Sequence, residues 1–220
     1  MIVELKKRII TSILLISLLL LMYFYSFIMI ISLIIIGIIS WIEFYAMICK
    51  IFKKKNYRGK IYRFFYKSIS LVYISLIIYL VLFIESQNSL HKMSLLFIVL
   101  VSILTDIGGF IVGKTFKGKK LTKISPNKTI SGSIGSFLFS LTLVFFFNQT
   151  FDNYSYFELC FIIILISLTS QIGDLFISSL KRKANVKNTS NILPGHGGFL
   201  DRIDGIIFAI PIGILLLKLY

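Results

Sequence analysis

The chain has 220 residues, 57% of them hydrophobic and 15% charged, with a mean hydropathy of +0.91. A soluble domain is nearer about half apolar and a quarter charged, so these values exclude one and point to a single polytopic membrane unit with no room for a separate globular domain. The formal charge of +15 comes from 24 Lys and Arg against 9 Asp and Glu; the basic residues gather between apolar stretches, as in loops facing anionic headgroups, which speaks against nucleic acid as a partner.

Lys6, Lys7 and Arg8 precede an apolar run from Ile9 to Met22 that resembles a signal peptide. No small-residue cleavage site follows and the run continues, so a first transmembrane helix is expected. Between Arg8 and Lys50 the only charge is Glu43. Roughly 41 residues at ~1.5 Å each make two crossings of a ~30 Å core, placed at 8–24 and 27–49 with a turn around Tyr23 to Ser26. The segment Tyr57 to Lys67 mixes basic and aromatic residues, and reads either as an interfacial helix or as a loop anchoring two spans. Further spans are expected at 68–84, 94–113, 132–147, 157–179 and 203–219, giving an all-α bundle of about seven. Cys49 and Cys160 lack the spacing of a zinc site or a disulfide framework and read as packing residues. With the N-terminus in the cytoplasm, 22 of the 24 Lys and Arg fall on that face, and only Lys92 and Lys218 on the other. The chain divides into N-terminal spans with a basic loop (1–67) and a C-terminal region (68–220) whose motifs lie at 105–133 and 170–204.

An aspartate within a span costs ~2.5–3.5 kcal/mol even on the lenient insertion scale, so Asp106 and Asp174 call for an explanation. Asp106 lies seven residues before the end of its expected span at Gly113, and Asp174 seven before Lys181, so each sits ~10 Å below the basic loops at helical rise. Asp201 and Asp204, three apart at the start of the last span, share one side of its first turn. Converging carboxylates of this kind suit a divalent cation, and hard oxygen ligands favour magnesium. The structural alternative is that each Asp caps a helix or pairs with a Lys.

Two loops carry phosphate-binding character. Pro194-Gly195-His196-Gly197-Gly198-Phe199-Leu200-Asp201-Arg202-Ile203-Asp204 places glycines before a helix N-terminus, where backbone N–H groups close on an anion. Ser125-Pro126-Asn127-Lys128-Thr129-Ile130-Ser131-Gly132-Ser133 offers hydroxyls, a lysine and a glycine in a less specific version. His196 has one other histidine in the chain, His91 on the opposite face, so a histidine-based metal site is excluded.

These residues resemble the phosphatidate cytidylyltransferase (CDP-diacylglycerol synthase) family. The resemblance runs through Thr105-Asp106-Ile107-Gly108, Ser125-Pro126-Asn127-Lys128-Thr129 and Ser170-Gln171-Ile172-Gly173-Asp174-Leu175. It is densest from Ser178-Ser179-Leu180-Lys181-Arg182 through Lys187, Ser190, Leu193-Pro194 and His196-Gly197-Gly198-Phe199 to Asp201-Arg202-Ile203-Asp204. Four positions depart from the family pattern: Asn188 stands for Asp, Ile177 for Glu, Asn127 for Lys and Ser131 for Glu. Three of these remove a carboxylate and are read as supporting groups, because Asp174 and Asp201, which resemble the family's metal-binding aspartates, remain.

The resemblance implies transfer of a cytidylyl group from CTP to phosphatidic acid, giving CDP-diacylglycerol and pyrophosphate, by a homodimer in the cytoplasmic membrane with its site facing the cytoplasm. It implies Mg2+ on Asp174 and Asp201, with Lys181 and Arg202 as catalytic cations. Ser125, Lys128, Thr129, Arg182, Lys187, His196, Gly197, Gly198 and Asp204 are the expected substrate-binding set, and Asp106 a supporting residue. The rival readings are another CTP-dependent lipid enzyme such as a polyprenol kinase, a transporter in which Asp106 and Asp174 line a polar pathway, and an inactive paralogue.

Overall fold

The computed structural model describes residues 2–53, 57–87, 89–122, 125 and 128–219. Pro126 and Asn127 of the hydroxyl-rich loop, and Lys54, Lys55 and Lys123 of the basic segments, lie outside the described residues. The described residues form eight helices: α1 (Ile2–Phe24), α2 (Ser26–Ile51), α3 (Tyr57–Glu85), α4 (Ser89–Phe116), α5 (Ile130–Leu141), α6 (Leu143–Phe147), α7 (Tyr156–Lys183) and α8 (Leu200–Leu216). The described residues form no strand, only isolated bridges between Lys120 and Thr129 and between Leu193 and Gly197.

Among the described residues six segments are long and apolar enough to cross a membrane: α1 to α4, the α5–α6 pair, and α7. The expected seventh span is α8, whose 17 residues reach ~26 Å at helical rise, close to the thickness of a bilayer core. The chain is a polytopic helical membrane protein. The first turn falls where it was expected: Tyr25 leaves helical geometry at φ −122° and ψ 103° and caps α2. The Tyr57–Lys67 segment is neither a loop nor a separate interfacial helix; it is the first third of α3, continuous with the span behind it. The fifth span is interrupted at Thr142, whose hydroxyl donates to Phe139 O at 2.7 Å.

The helices form two compact units. One comprises Met1–Phe83 with Leu180–Ile203, the other Ile84–Ser179 with Asp204–Tyr220. In the first, α1 packs on α2, and Gly37 of α2 lets Ile74 and Ile78 of α3 approach closely. Trp41 Nε1 donates to Lys67 O at 3.2 Å, and the Lys67 ammonium lies over the Trp41 and Tyr45 rings.

In the second unit the helices approach through small residues, because lipid tails are as apolar as leucine and van der Waals contact must supply the attraction. Gly108 and Gly109 of α4 meet Gly132, Gly135 and Ser136 of α5. Gly173 of α7 meets Phe208 and the Asp204 carbonyl of α8, and Gly205 lies on Ser170 Oγ. A polar ladder ties the same helices: Thr105 Oγ1 donates to Ser167 Oγ at 2.8 Å, Gln171 Nε2 to Ser167 Oγ at 3.5 Å, and Ser133 Oγ to Gln171 Oε1 at 2.6 Å. Phe97, Phe147 and Phe151 fill the other end of this core, with ring centroids 5.0 Å apart for each pair that includes Phe97.

A side chain at Gly135 would collide with Val112, and its Cβ would lie 2.9 Å from Gly108 O. Gly135→Val is therefore expected to lower stability by about 1–3 kcal/mol, the usual cost of overpacking, read as a fall in thermal midpoint in detergent. Ile134→Val, next along the helix at a position 55% exposed, is expected to change it by less than about 0.5 kcal/mol.

Candidate functional site

The signature segment after α7 is organised by two carboxylates of the first unit. Asp201, in the first turn of α8, receives the Lys181 ammonium on Oδ1 at 2.7 Å. Its Oδ2 accepts from Thr189 N at 2.8 Å, Gly198 N at 3.0 Å and Thr189 Oγ1 at 3.0 Å.

Glu43 of α2 is the second carboxylate, only 2% exposed. Its Oε2 accepts from Thr189 Oγ1 at 2.8 Å and Leu200 N at 2.9 Å, and its Oε1 from Ser190 Oγ at 2.5 Å and Phe199 N at 3.1 Å. Phe199 immediately precedes α8 and Leu200 is its first residue, so the anion sits where the helix dipole and the unsatisfied N–H groups favour negative charge. The single Thr189 hydroxyl proton is shared between Glu43 and Asp201.

Gly197 and Gly198 both serve this arrangement. Gly197, at φ +88°, closes the tight turn in which Leu193 N donates to Gly197 O at 2.8 Å and Gly197 N to Leu193 O at 3.1 Å. At Gly198 a Cβ would lie 2.5 and 2.6 Å from the Glu43 oxygens and would collide with Thr189 Oγ1. Their N–H groups, expected to meet a phosphate, are directed at Leu193 O and Asp201 Oδ2. His196 packs against α1 through Thr11 Oγ1 and Ser12 Oγ; partial burial first, then Arg202 and Arg8, hold it below the usual histidine range. Arg202 is exposed, and its Nη2 and Nε donate to His196 O at 2.8 and 3.2 Å. Arg182 and Lys187 are exposed at the end of α7 and just beyond it.

The second unit carries its own acid–base pair. Asp174 of α7 is bonded through Oδ2 to the Lys128 ammonium, and its Oδ1 accepts from Ser178 Oγ at 3.2 Å. Lys128 is placed by a turn in which Lys128 N donates to Ser125 O at 3.0 Å, followed by Thr129, the N-cap of α5, whose hydroxyl accepts from Gly132 N. Asp204 is buried and accepts from Gly205 N at 3.0 Å, while Asp106 is exposed on α4. Of the departures, Ile177 is 3% exposed in the core, Asn188 lies against Gly197, and Ser131 Oγ donates to Lys117 O.

Among the described residues, no group of three or more His, Cys, Asp or Glu could hold a metal ion by itself. Magnesium is commonly bound by one or two carboxylates plus substrate phosphates and water. Asp201 of the first unit and Asp174 of the second each have a lysine as their charged partner, and each taken by itself is a hard oxygen donor of the kind that magnesium accepts.

Glu43 is the residue that sequence reasoning passed over. It is the one charge in its apolar run, and the desolvation argument that singled out Asp106 and Asp174 applies to it equally. Thr189, Ser133 and Gln171 carried no comparable signal, since hydroxyls and amides are common near helix ends.

A profile of the cytidylyltransferase family matches residues 2–220. The protein named phosphatidate cytidylyltransferase in Bacillus subtilis (strain 168) is 40% identical over 143 residues, covering 63% of this chain and 53% of that protein. Its namesake in Rickettsia bellii (strain RML369-C) is 40% identical over 163 residues, 70% of each chain. That of Staphylococcus haemolyticus (strain JCSC1435) is 42% identical over 137 residues, 60% of this chain and 52% of that protein. The matched part thus spans about half the length of the Bacillus and Staphylococcus relatives. With two lysine–aspartate pairs in its motif segments and a match along nearly its entire length, the chain belongs to the cytidylyltransferase family.

Proposed function

We propose that the chain is a phosphatidate cytidylyltransferase, transferring CMP from CTP to phosphatidic acid in phospholipid synthesis. The observation that carries this reading is the Lys181–Asp201 pair, held by the loop whose sequence resembles the family signature, in a chain that matches that family from residue 2 to residue 220. A phosphate oxygen of phosphatidic acid attacks the α-phosphorus of CTP; the new P–O bond forms as the bond to the bridging oxygen of the β-phosphate breaks, and pyrophosphate leaves. No nucleophilic side chain is needed, so the protein's work is positioning and neutralisation of charge.

Lys181, Arg182 and Arg202 supply that neutralisation from the signature segment, and Lys128 from the loop before α5. The Lys181 and Lys128 ammonium groups are paired with carboxylates, so their charge is compensated and phosphate oxygens would compete with those carboxylates for it. Asp174 and Asp201 are the residues that would hold magnesium. A bound cation would supply positive charge against the phosphates as charge develops on the leaving pyrophosphate. The segregation of basic residues supports a site facing the cytoplasm, where CTP is available, in a cytoplasmic membrane that supplies phosphatidic acid. A homodimer, implied by the sequence resemblance, belongs to the same reading.

Purified protein given CTP labelled at the α-phosphate, Mg2+ and phosphatidic acid is expected to place label in a CDP-linked lipid. Transfer of the γ-phosphate to a lipid alcohol would point instead to a kinase. Chelation by EDTA should stop incorporation and added Mg2+ restore it; incorporation that persists in EDTA would remove the cation from the scheme. Asp174→Asn should reduce kcat at least about 100-fold, or ~2.7 kcal/mol, with helicity and detergent behaviour unchanged.

A further inference from the structure

We propose that Glu43 is a positioning residue for nucleotide binding, acting through the 189–200 segment from a helix outside every recognised motif. The inference rests on the functional reading above and extends it to α2. A carboxylate taken out of water costs several kcal/mol unless its lone pairs are met. Glu43 is buried, and the donors that meet it are Thr189 Oγ1, Ser190 Oγ, Phe199 N and Leu200 N. All four lie in the segment that leads into Asp201 and Arg202, and none on α2 itself.

The clasp has a defined consequence for those two residues. Thr189 binds Glu43 through its hydroxyl and Asp201 through both its hydroxyl and its N–H, so the Glu43 carboxylate and the Asp201 carboxylate are held to a common side chain. Gly198, pressed against the Glu43 oxygens, donates its N–H to Asp201 as well. Capping of α8 by Glu43 then fixes the turn that carries Asp201 and Arg202. Removing the charge would leave a backbone N–H at the start of α8 without its acceptor, because an amide nitrogen in its place cannot accept. The segment would lose its register relative to Lys181 and Arg202, the cations assigned to the phosphates.

The test is steady-state kinetics of the full-length enzyme in detergent micelles containing phosphatidic acid, with CTP and phosphatidic acid varied separately. Glu43→Gln is expected to raise KM for CTP at least tenfold and to leave KM for phosphatidic acid within about twofold. A role in folding alone would lower the active fraction, and hence the apparent kcat, with KM for CTP unchanged; that result would overturn the proposal. Ser190→Ala removes one donor while leaving the carboxylate three, and is expected to raise KM for CTP two- to fivefold. It decides the matter if Glu43→Gln does not fold, since a native KM for CTP in Ser190→Ala would equally overturn it. Wild-type protein that incorporates no label from CTP would count against the functional reading itself, whereas active wild type with native CTP KM in these variants would sink only the role of Glu43.

Discussion

Two carboxylates and one loop set the local order of the signature segment. A chain of glycines, hydroxyl residues and a proline has little of its own to hold it, since it buries little apolar surface and forms no regular backbone ladder. Here the order comes from outside: Glu43 and Asp201 between them accept from the N–H groups of Thr189, Gly198, Phe199 and Leu200 and from the hydroxyls of Thr189 and Ser190. The low dielectric that makes a buried carboxylate costly also makes each of its satisfied hydrogen bonds strong. The segment is therefore held by hydrogen bonds where those carboxylates meet it.

The same economy of donors governs the lysines. Lys181 and Lys128 each rest on an aspartate, so each lysine's charge is compensated locally, and a polyanionic substrate can compete for it. This suits phosphoryl chemistry, in which the catalyst's main task is to place positive charge where negative charge collects. Asp174 and Asp201 thereby have a structural part, as the groups that hold their lysines.

In the second unit the constraint is distance between helix axes rather than charge. Gly108 and Gly109 on α4, Gly132 and Gly135 on α5, and Gly173 and Gly205 on α7 and α8 remove the side chains that would hold the backbones apart. Residues of the Ser170-Gln171-Ile172-Gly173-Asp174 motif divide this work. Gln171 bonds to Ser133 and Ser167, Gly173 admits Phe208, Ser170 is small enough to lie under Gly205, and Asp174 holds Lys128. A motif that reads as catalytic in sequence is thus also a packing surface.

Hydrophobic run length, charge segregation and motif spacing were local properties, and the sequence alone determined them: the all-α membrane class, a helix break around Tyr23 to Ser26, the motif aspartates and the family resemblance. Helix contacts across long separations were not local. Glu43 lies 146 residues from Thr189 and 157 from Leu200, and nothing in the linear order says which of the later donors a lone buried acid will meet. The purpose of Gly198 was equally hidden, because a glycine beside an anion-binding motif suggests room for phosphate, whereas here it makes room for the Glu43 carboxylate. Only the tertiary structure decided these pairings, since a buried charge is satisfied by whichever donors the packing of helices brings within about 3 Å, and that packing is a property of the whole chain.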